Sequence, residues 1–319
     1  MSNTYGSNPA YVLAGGGNTS VKNDTALYVK GSGTQLATIK AEGFVKMDRA
    51  RLNEIMKTEY PKNDVEREAA YLADVMAAVT DDDKTKRPSV EALLHNLFAY
   101  TYVLHVHPTL VNGLTCGKGA QALCEELLGE AVLWIDICKP GYTLARLCFE
   151  KMNAYKEKYG KDVQVLLLQN HGIFVAANTV EEIGVLFDGV ISKLEKQVRR
   201  TADVSNAITP EKEQTAQKLS QLLGHAVEVV PVAEADNFAK DKTAAAPLLK
   251  PFTPDHIVYC GPYPLFVENI DQAKEALDAF MTENDKEPRL ILVQGIGAFI
   301  MEDDKEKAAK AQLLVKDAI

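Results

Sequence analysis

The stretch VLHVHP, Val103 to Pro108, carries two histidines one residue apart at the end of an apolar run. Side chains alternate across a strand, so His105 and His107 leave by the same face together. Two chemistries suit such a pair. Histidines inside a core bracket a buried water when both ring nitrogens find partners. Neutral imidazoles on one strand face are also half of a zinc site, the remaining ligands coming from elsewhere in the chain. His171 sits in LLLQNHGIF, at the exit of an apolar strand and just before Gly172. A polar side chain beside a glycine turn is a common functional position, although singly it also reads as a loop histidine capping a turn. Glu91 falls in the first turn of the helix leading into the histidine strand, where the helix dipole alone favours an acid. His95, four residues later on the same helix face, is expected to support the ligands from behind or to pack beside the site rather than ligate. Taken together, three imidazoles and one carboxylate form the ligand set of a catalytic zinc site with exchangeable positions for substrate. Imidazole donors favour zinc, or another divalent transition metal, over magnesium.

The elements that hold these residues follow from the patterning. Residues 11–48 alternate short apolar runs with glycine and asparagine turns, which predicts antiparallel sheet. Helical spacing takes over in 64–79 and again after Ser89, the expected N-cap, where Val90, Leu93, Leu94, Leu97 and Phe98 recur. The histidine strand, a Gly-rich turn, a helix near 118–128, the strand AVLWIDI and a helix near 143–158 follow. One buried strand, DVQVLLLQNHGIFVA, and the amphipathic helix TVEEIGVLFDGVISKLEKQVRR complete this part. A composition change near 201–210 predicts a catalytic domain over 1–205 and a smaller α/β region over 206–319. In the latter we expect a helix at EKEQTAQKLSQLL, a strand at HIVYC, a helix near 270–282, the strand–Gly–strand RLILVQGIGAFIM and a charged last helix. QGIGAF lacks the GxGxxG pattern and reads as a strand turn, so no hydride chemistry is expected of this chain. The fold class is α/β: a three-layer domain with a central, mainly antiparallel sheet, plus the smaller C-terminal α/β region.

Bulk properties narrow the function. The chain has 319 residues, 46% hydrophobic and 25% charged, with a net charge of −9. That balance argues against nucleic acid as a main partner and leaves room for a small anionic substrate in a local positive pocket. The five cysteines form no CxxC pair and are odd in number, which favours reduced thiols in a cytoplasm. MSNTYGSNPA has neither a basic nor an apolar leader region, and no apolar run reaches the length of a membrane span. A soluble, cytoplasmic chain without a membrane partner is expected.

The glycines at 15–17 and 31–33 read in two ways. They are turns of a meander, or their amides form an anion nest to which Asn18, Thr19, Ser20, Ser32 and Gly33 contribute. Ser89, at a helix N-terminus, adds a hydroxyl where the dipole favours an anion. Lys22 and Lys30 offer positive charge, but strand lysines are more commonly solvated.

GGGNTS, KGSGT, RPSVE, HVHP and QNHG, in this order, resemble the class II aldolase/adducin family of metal-dependent sugar-phosphate lyases. Most similar is the aldolase part of the bifunctional rhamnulose-1-phosphate aldolase/lactaldehyde dehydrogenases. VLAGGGNTSVK, the fourteen-residue interval from Glu91 to His105, and PFTPDHIVY fit that branch. The resemblance implies His105, His107 and His171 as metal ligands and Glu91 as the acid/base. It implies phosphate held at Asn18, Ser32, Gly33 and Ser89; where many members have a second serine, this chain departs with Val90. Its implied reaction is reversible aldol cleavage of a ketose 1-phosphate to dihydroxyacetone phosphate and a small aldehyde such as lactaldehyde. Epimerases, decarboxylases and a dehydratase share the family's site, and adducin keeps the fold as an interaction module without the ligands. Retention of the three histidines and Glu91 argues against the last. Family members commonly form tetramers, so a homo-oligomer is expected.

Overall fold

Between Ala26 and Lys30, Leu27 and Val29 are buried while Tyr28 is exposed, the two-residue period of a strand resting on a core. Such segments, joined by turns, make the sheet that dominates the first half of the chain. The computed structural model describes residues 1–319, in two compact units, Met1–Gln197 and Val198–Ile319. No helix is long and apolar enough to cross a membrane.

The first unit holds seven strands: β1 Asn18–Lys22, β2 Ala26–Lys30, β3 Phe44–Asp48, β4 Tyr102–Val106, β5 Leu133–Ile135, β6 Val165–Leu168 and β7 Gly172–Ala177. Their order is β3-β2-β1-β4-β7-β6-β5, with every neighbouring pair antiparallel except β5 and β6. Alternate residues of each central strand feed two separate cores. Val103, Phe174 and Ala176 pack on the helices Arg49–Ile55, Asp64–Ala77, Ala92–Leu97 and Tyr142–Tyr159. Leu104, Val106, Ile173 and Val175 pack on Thr109–Thr115, Ala120–Leu128 and Val180–Glu195. The result is the expected three-layer arrangement, with His105 projecting into the first of these layers beside Phe174.

Four local readings are corrected. DVQVLLLQNHGIFVA is two antiparallel strands, β6 and β7, because the chain reverses at Gln169–His171. Asn170 takes φ 56, a left-handed conformation that asparagine tolerates, and His171 N–H closes the turn on Leu168 O at 3.1 Å. The helix expected from Ser89 is shorter, Ala92–Leu97, with Glu91 as its N-cap residue. HIVYC belongs to a helix, Pro254–Cys260: Thr253 accepts from His256 N–H and Pro254 occupies the first turn, and these outweigh the strand preference of Ile257 and Val258. The helix Thr109–Thr115 stands in what reads from the sequence as a Gly-rich turn.

The second unit has a four-stranded sheet of β8 Val227–Val229, β9 Leu265–Val267, β10 Leu290–Val293 and β11 Gly297–Met301, ordered β8-β11-β10-β9. β10 and β11 are the expected strand–Gly–strand, and the first half of QGIGAF, residues 294–296, is the turn between them, with Gly295 at φ 74. Leu219, Val267, Ile291, Val293 and Phe299 form its core against helices Pro210–Leu223 and Ala273–Glu283.

Candidate metal centre

Strand pairing decides what can meet here. β1 and β7 flank β4, with His105 opposite Asn18 on one side and Phe174 on the other. His107 follows the last residue of β4, and His171 precedes the first residue of β7. The three histidines therefore converge at one end of the sheet, their ligand atoms all within 4.8 Å of one another. Gly172 makes the approach possible. A Cβ there would lie 2.5 Å from Val106 O and 2.8 Å from His107 Cδ2. Gly172→Ala is thus expected to cost about 1–3 kcal/mol through overpacking and to loosen metal binding by displacing His107. Thermal melts and metal content check this; wild-type values for both would mean that the turn relaxes without cost.

His105 is fully buried, with its ring stacked on Phe174 at 3.9 Å between centroids and 13° between planes. Burial, then the neighbouring His107 and His171, push its pKa well below the ordinary 6.5, against the opposing pull of the Ile173 carbonyl. The ring is neutral. His105 Nδ1 lies 3.0 Å from Ile173 O, which can only accept, so Nδ1 carries the proton and Nε2 the lone pair. That lone pair faces His107 Nε2 at 2.9 Å and Glu91 Oε2 at 3.2 Å. The other Glu91 oxygen lies 3.3 Å from His171 Nε2. A lone pair and a carboxylate oxygen this close repel unless a proton or a cation lies between them. The donor set therefore fits a divalent cation that accepts imidazole nitrogen.

Glu91 is 4% exposed and held from behind. Asn18 Nδ2 donates to its Oε2 at 2.8 Å and to Ser89 Oγ at 3.1 Å, and Glu91 N–H donates to Ser89 Oγ at 3.3 Å. His95, expected to support the site from behind or to pack beside it rather than ligate, hydrogen-bonds Asn18 Oδ1 through Nε2 and Ser20 Oγ through Nδ1, the latter at 2.7 Å. The signal for it lay in the sequence as the four-residue step from Glu91, and for Ser20 as the two-residue step from Asn18. Phe174, which backs both His95 and His105, carried no signal beyond its hydrophobicity.

The residues named for phosphate are only partly gathered. Thr19 points to the opposite face of β1, its hydroxyl 2.8 Å from Ser2 Oγ, because one residue along a strand reverses the side chain. Asn18 is engaged with Glu91, Ser89 and His95. Ser89 lies three residues ahead of a six-residue helix, too short for a dipole-based anion site, and its hydroxyl accepts from Asn18 and Glu91. Ser32 and Gly33 lie exposed on the turn beside it, since Ser32 N–H donates to Arg87 O at 2.8 Å. Gly33 has φ 82 and open space around it. Lys22 and Lys30 are buried rather than solvated. Lys22 Nζ donates to His95 O at 2.8 Å, and burial, then Arg49, lower its pKa to about 7.

The buried rings set an acid limit on stability. His95, like His105, has its pKa well below 6.5, chiefly through burial and then through Lys22. The unfolded chain binds protons at both positions near pH 6.5 while the folded chain does not. Stability of the chelated protein is therefore full above that pH and falls as pH drops below it toward the lower folded values. Denaturant melts on either side of pH 6.5 test this; an unchanged midpoint would mean that both rings protonate in the folded state.

Comparison with known proteins places this geometry. A profile described as Class II Aldolase and Adducin N-terminal domain matches residues 7–188, more than half of the chain. An uncharacterized oxidoreductase, YuxG, of Bacillus subtilis (strain 168) is 24% identical over 348 residues, covering 93% of this chain and 49% of its own length. The chain thus spans about half the length of that curated relative. The N-terminal class II aldolase domain of a conserved protein from Thermoplasma acidophilum has 27% identity and a TM-score of 0.52, over 62% of this chain and 90% of that one. An L-fuculose-1-phosphate aldolase from Thermus thermophilus has 15% identity and a TM-score of 0.38, over 61% and 91%. With its motifs in order on a seven-stranded sheet and a profile match over most of the first unit, the chain belongs to the class II aldolase and adducin family.

Proposed function

We propose that the protein is a metal-dependent aldolase that reversibly cleaves a ketose 1-phosphate to dihydroxyacetone phosphate and a small aldehyde. The observation that carries this reading is Glu91, a buried carboxylate 3.2 Å from His105 Nε2 and 3.3 Å from His171 Nε2, at the edge of a three-histidine cluster. In this reading His105, His107 and His171 hold a divalent transition metal, zinc being favoured by imidazole donors. When bound, the cation supplies the Lewis-acid charge that stabilises the electron pair left when a carbon–carbon bond beside a ketone breaks.

The chain's own residues do the rest. Glu91 delivers or removes the proton at carbon, since a carboxylate within hydrogen-bond reach of the reacting centre acts as acid and base in turn. Asn18 and Ser89 keep it in place. His171 is 9% exposed and His107 is half-buried, so the cluster opens toward solvent on the side away from the sealed His105. The exposed turn at Ser32 and Gly33, beside Ser89, takes the phosphate through the Gly33 amide and the Ser32 hydroxyl, the Ser32 amide being used on Arg87 O. Val90, 66% exposed next to Ser89, removes one hydroxyl from that end. The C-terminal unit is an accessory region in this reading. Product analysis across ketose 1-phosphates and phosphorylated sugar acids tests it. We expect dihydroxyacetone phosphate from a 6-deoxyketose 1-phosphate; epimer or carbon dioxide formation without cleavage would move the protein to another reaction of the family.

A further inference from the structure

A carboxylate oxygen only accepts hydrogen bonds, and from Glu91 this constraint runs back through three residues. Glu91 Oε2 lies 2.8 Å from the Asn18 side-chain amide, so the amide must present Nδ2–H there. The flipped amide would set its own oxygen against the carboxylate. Asn18 Oδ1 then points at His95 Nε2, and a carbonyl oxygen accepts as well, so Nε2 bears the proton. His95 is completely buried and neutral, which leaves the lone pair on Nδ1, and Ser20 Oγ–H donates to it at 2.7 Å. Every donor and acceptor in the chain Ser20, His95, Asn18, Glu91 is thereby fixed in direction. The His95 ring is itself held: its edge meets Phe174 at 5.4 Å between centroids, and its backbone carbonyl accepts from Lys22.

We propose that His95 is a positioning residue for Glu91: its Nε2–H locks the Asn18 amide in the orientation whose N–H holds the carboxylate between His105 and His171. The inference rests on the proton-transfer role proposed for Glu91. It also differs from the simpler alternative, a buried histidine that is merely satisfied. A core histidine that only fills space affects stability and leaves the kcat-to-KM split alone. A positioning histidine acts on turnover through Asn18, and a side chain that restores one N–H at the same place rescues it.

The test uses the full chain. His95→Phe keeps a ring against Phe174 without the N–H; His95→Gln restores an amide N–H close to the former Nε2. We expect His95→Phe to lower kcat by about 10–100-fold, the range for partners one bond removed from metal-edge groups, with KM and metal content unchanged. His95→Gln should recover most of that loss. Asn18→Ala should lose a similar factor, and the double variant should lose little more than either alone, because both break one connection. Wild-type kcat in a folded His95→Phe protein, or losses that multiply in the double variant, would overturn the proposal.

A readout independent of turnover is nitrogen NMR of the metal-free protein. His95 should show a proton on Nε2 and a bare Nδ1; the opposite tautomer would overturn the proposal even if His95→Phe does not fold. If the wild type cleaves no ketose phosphate, the aldolase reading falls, and the tautomer together with a crystal structure of His95→Phe still decides this one. A rotated Asn18 and a displaced Glu91 carboxylate support it, and an unchanged Asn18–Glu91 contact sinks it.

Discussion

Glu91→Gln is expected to lower turnover by about 10²–10⁴, the usual worth of a positioned acid/base, while metal and fold should be kept. The size of the effect separates two roles for the same residue. As a helix-start acid Glu91 contributes at most about 1 kcal/mol through the dipole, and it makes no side-chain cap to its own helix. Glutamine keeps the shape and can still accept from Asn18 Nδ2 through its amide oxygen. It cannot exchange a proton with carbon. Three imidazoles remain to hold the cation, so metal analysis of the variant should match the wild type. The telling measurement is exchange of the carbon-bound proton of dihydroxyacetone phosphate with solvent, which requires the acid/base group and no aldehyde. Exchange at the wild-type rate in metal-loaded Glu91→Gln protein would pass the role to another residue.

How much of this centre was legible beforehand follows from the physics of each contact. His105 and His107 are separated by the strand period, so their shared face is visible in six letters of sequence. Glu91 and His171 were legible as residue types at the ends of elements, and their convergence needed only that those elements pack together. The direction of the Asn18 network was not legible, because it joins residues 77 apart through the register of β1 against β4 and of the helix above them. A one-residue slip in that register would have faced Thr19 toward Glu91 and Asn18 away. Thr19 is turned away from the other residues named for phosphate for that reason: the GGGNTS motif names the residues without stating which of two neighbours turns inward. The reversal at Asn170 was hidden similarly, since LLLQNHGIFVA is apolar enough to read as one buried strand. Only the left-handed asparagine divides it. In HIVYC the β-branched residues pointed one way and the preceding Thr253-Pro254 cap the other, and the cap prevailed.

His105→Ala and His107→Ala should both abolish metal retention and, with it, activity, yet they should differ in stability. His105 is at 0% exposure, stacked on Phe174 and donating to Ile173 O. Its removal opens a cavity against an aromatic face and forfeits the hydrogen bond to Ile173 O, a combined cost of about 2–4 kcal/mol. His107 stands half-buried beyond the end of β4, and its loss should stay within about 1 kcal/mol. Metal analysis after dialysis, paired with denaturant melts of the metal-free proteins, reads both effects separately. The comparison in the metal-free state matters, because bound metal stabilises the folded form by mass action and would otherwise be counted against both variants. A His105→Ala protein that keeps stoichiometric metal would remove this residue from the ligand set. Equal stability of the two metal-free variants would mean that the stack on Phe174 and the bond to Ile173 hold the ring without contributing to the fold.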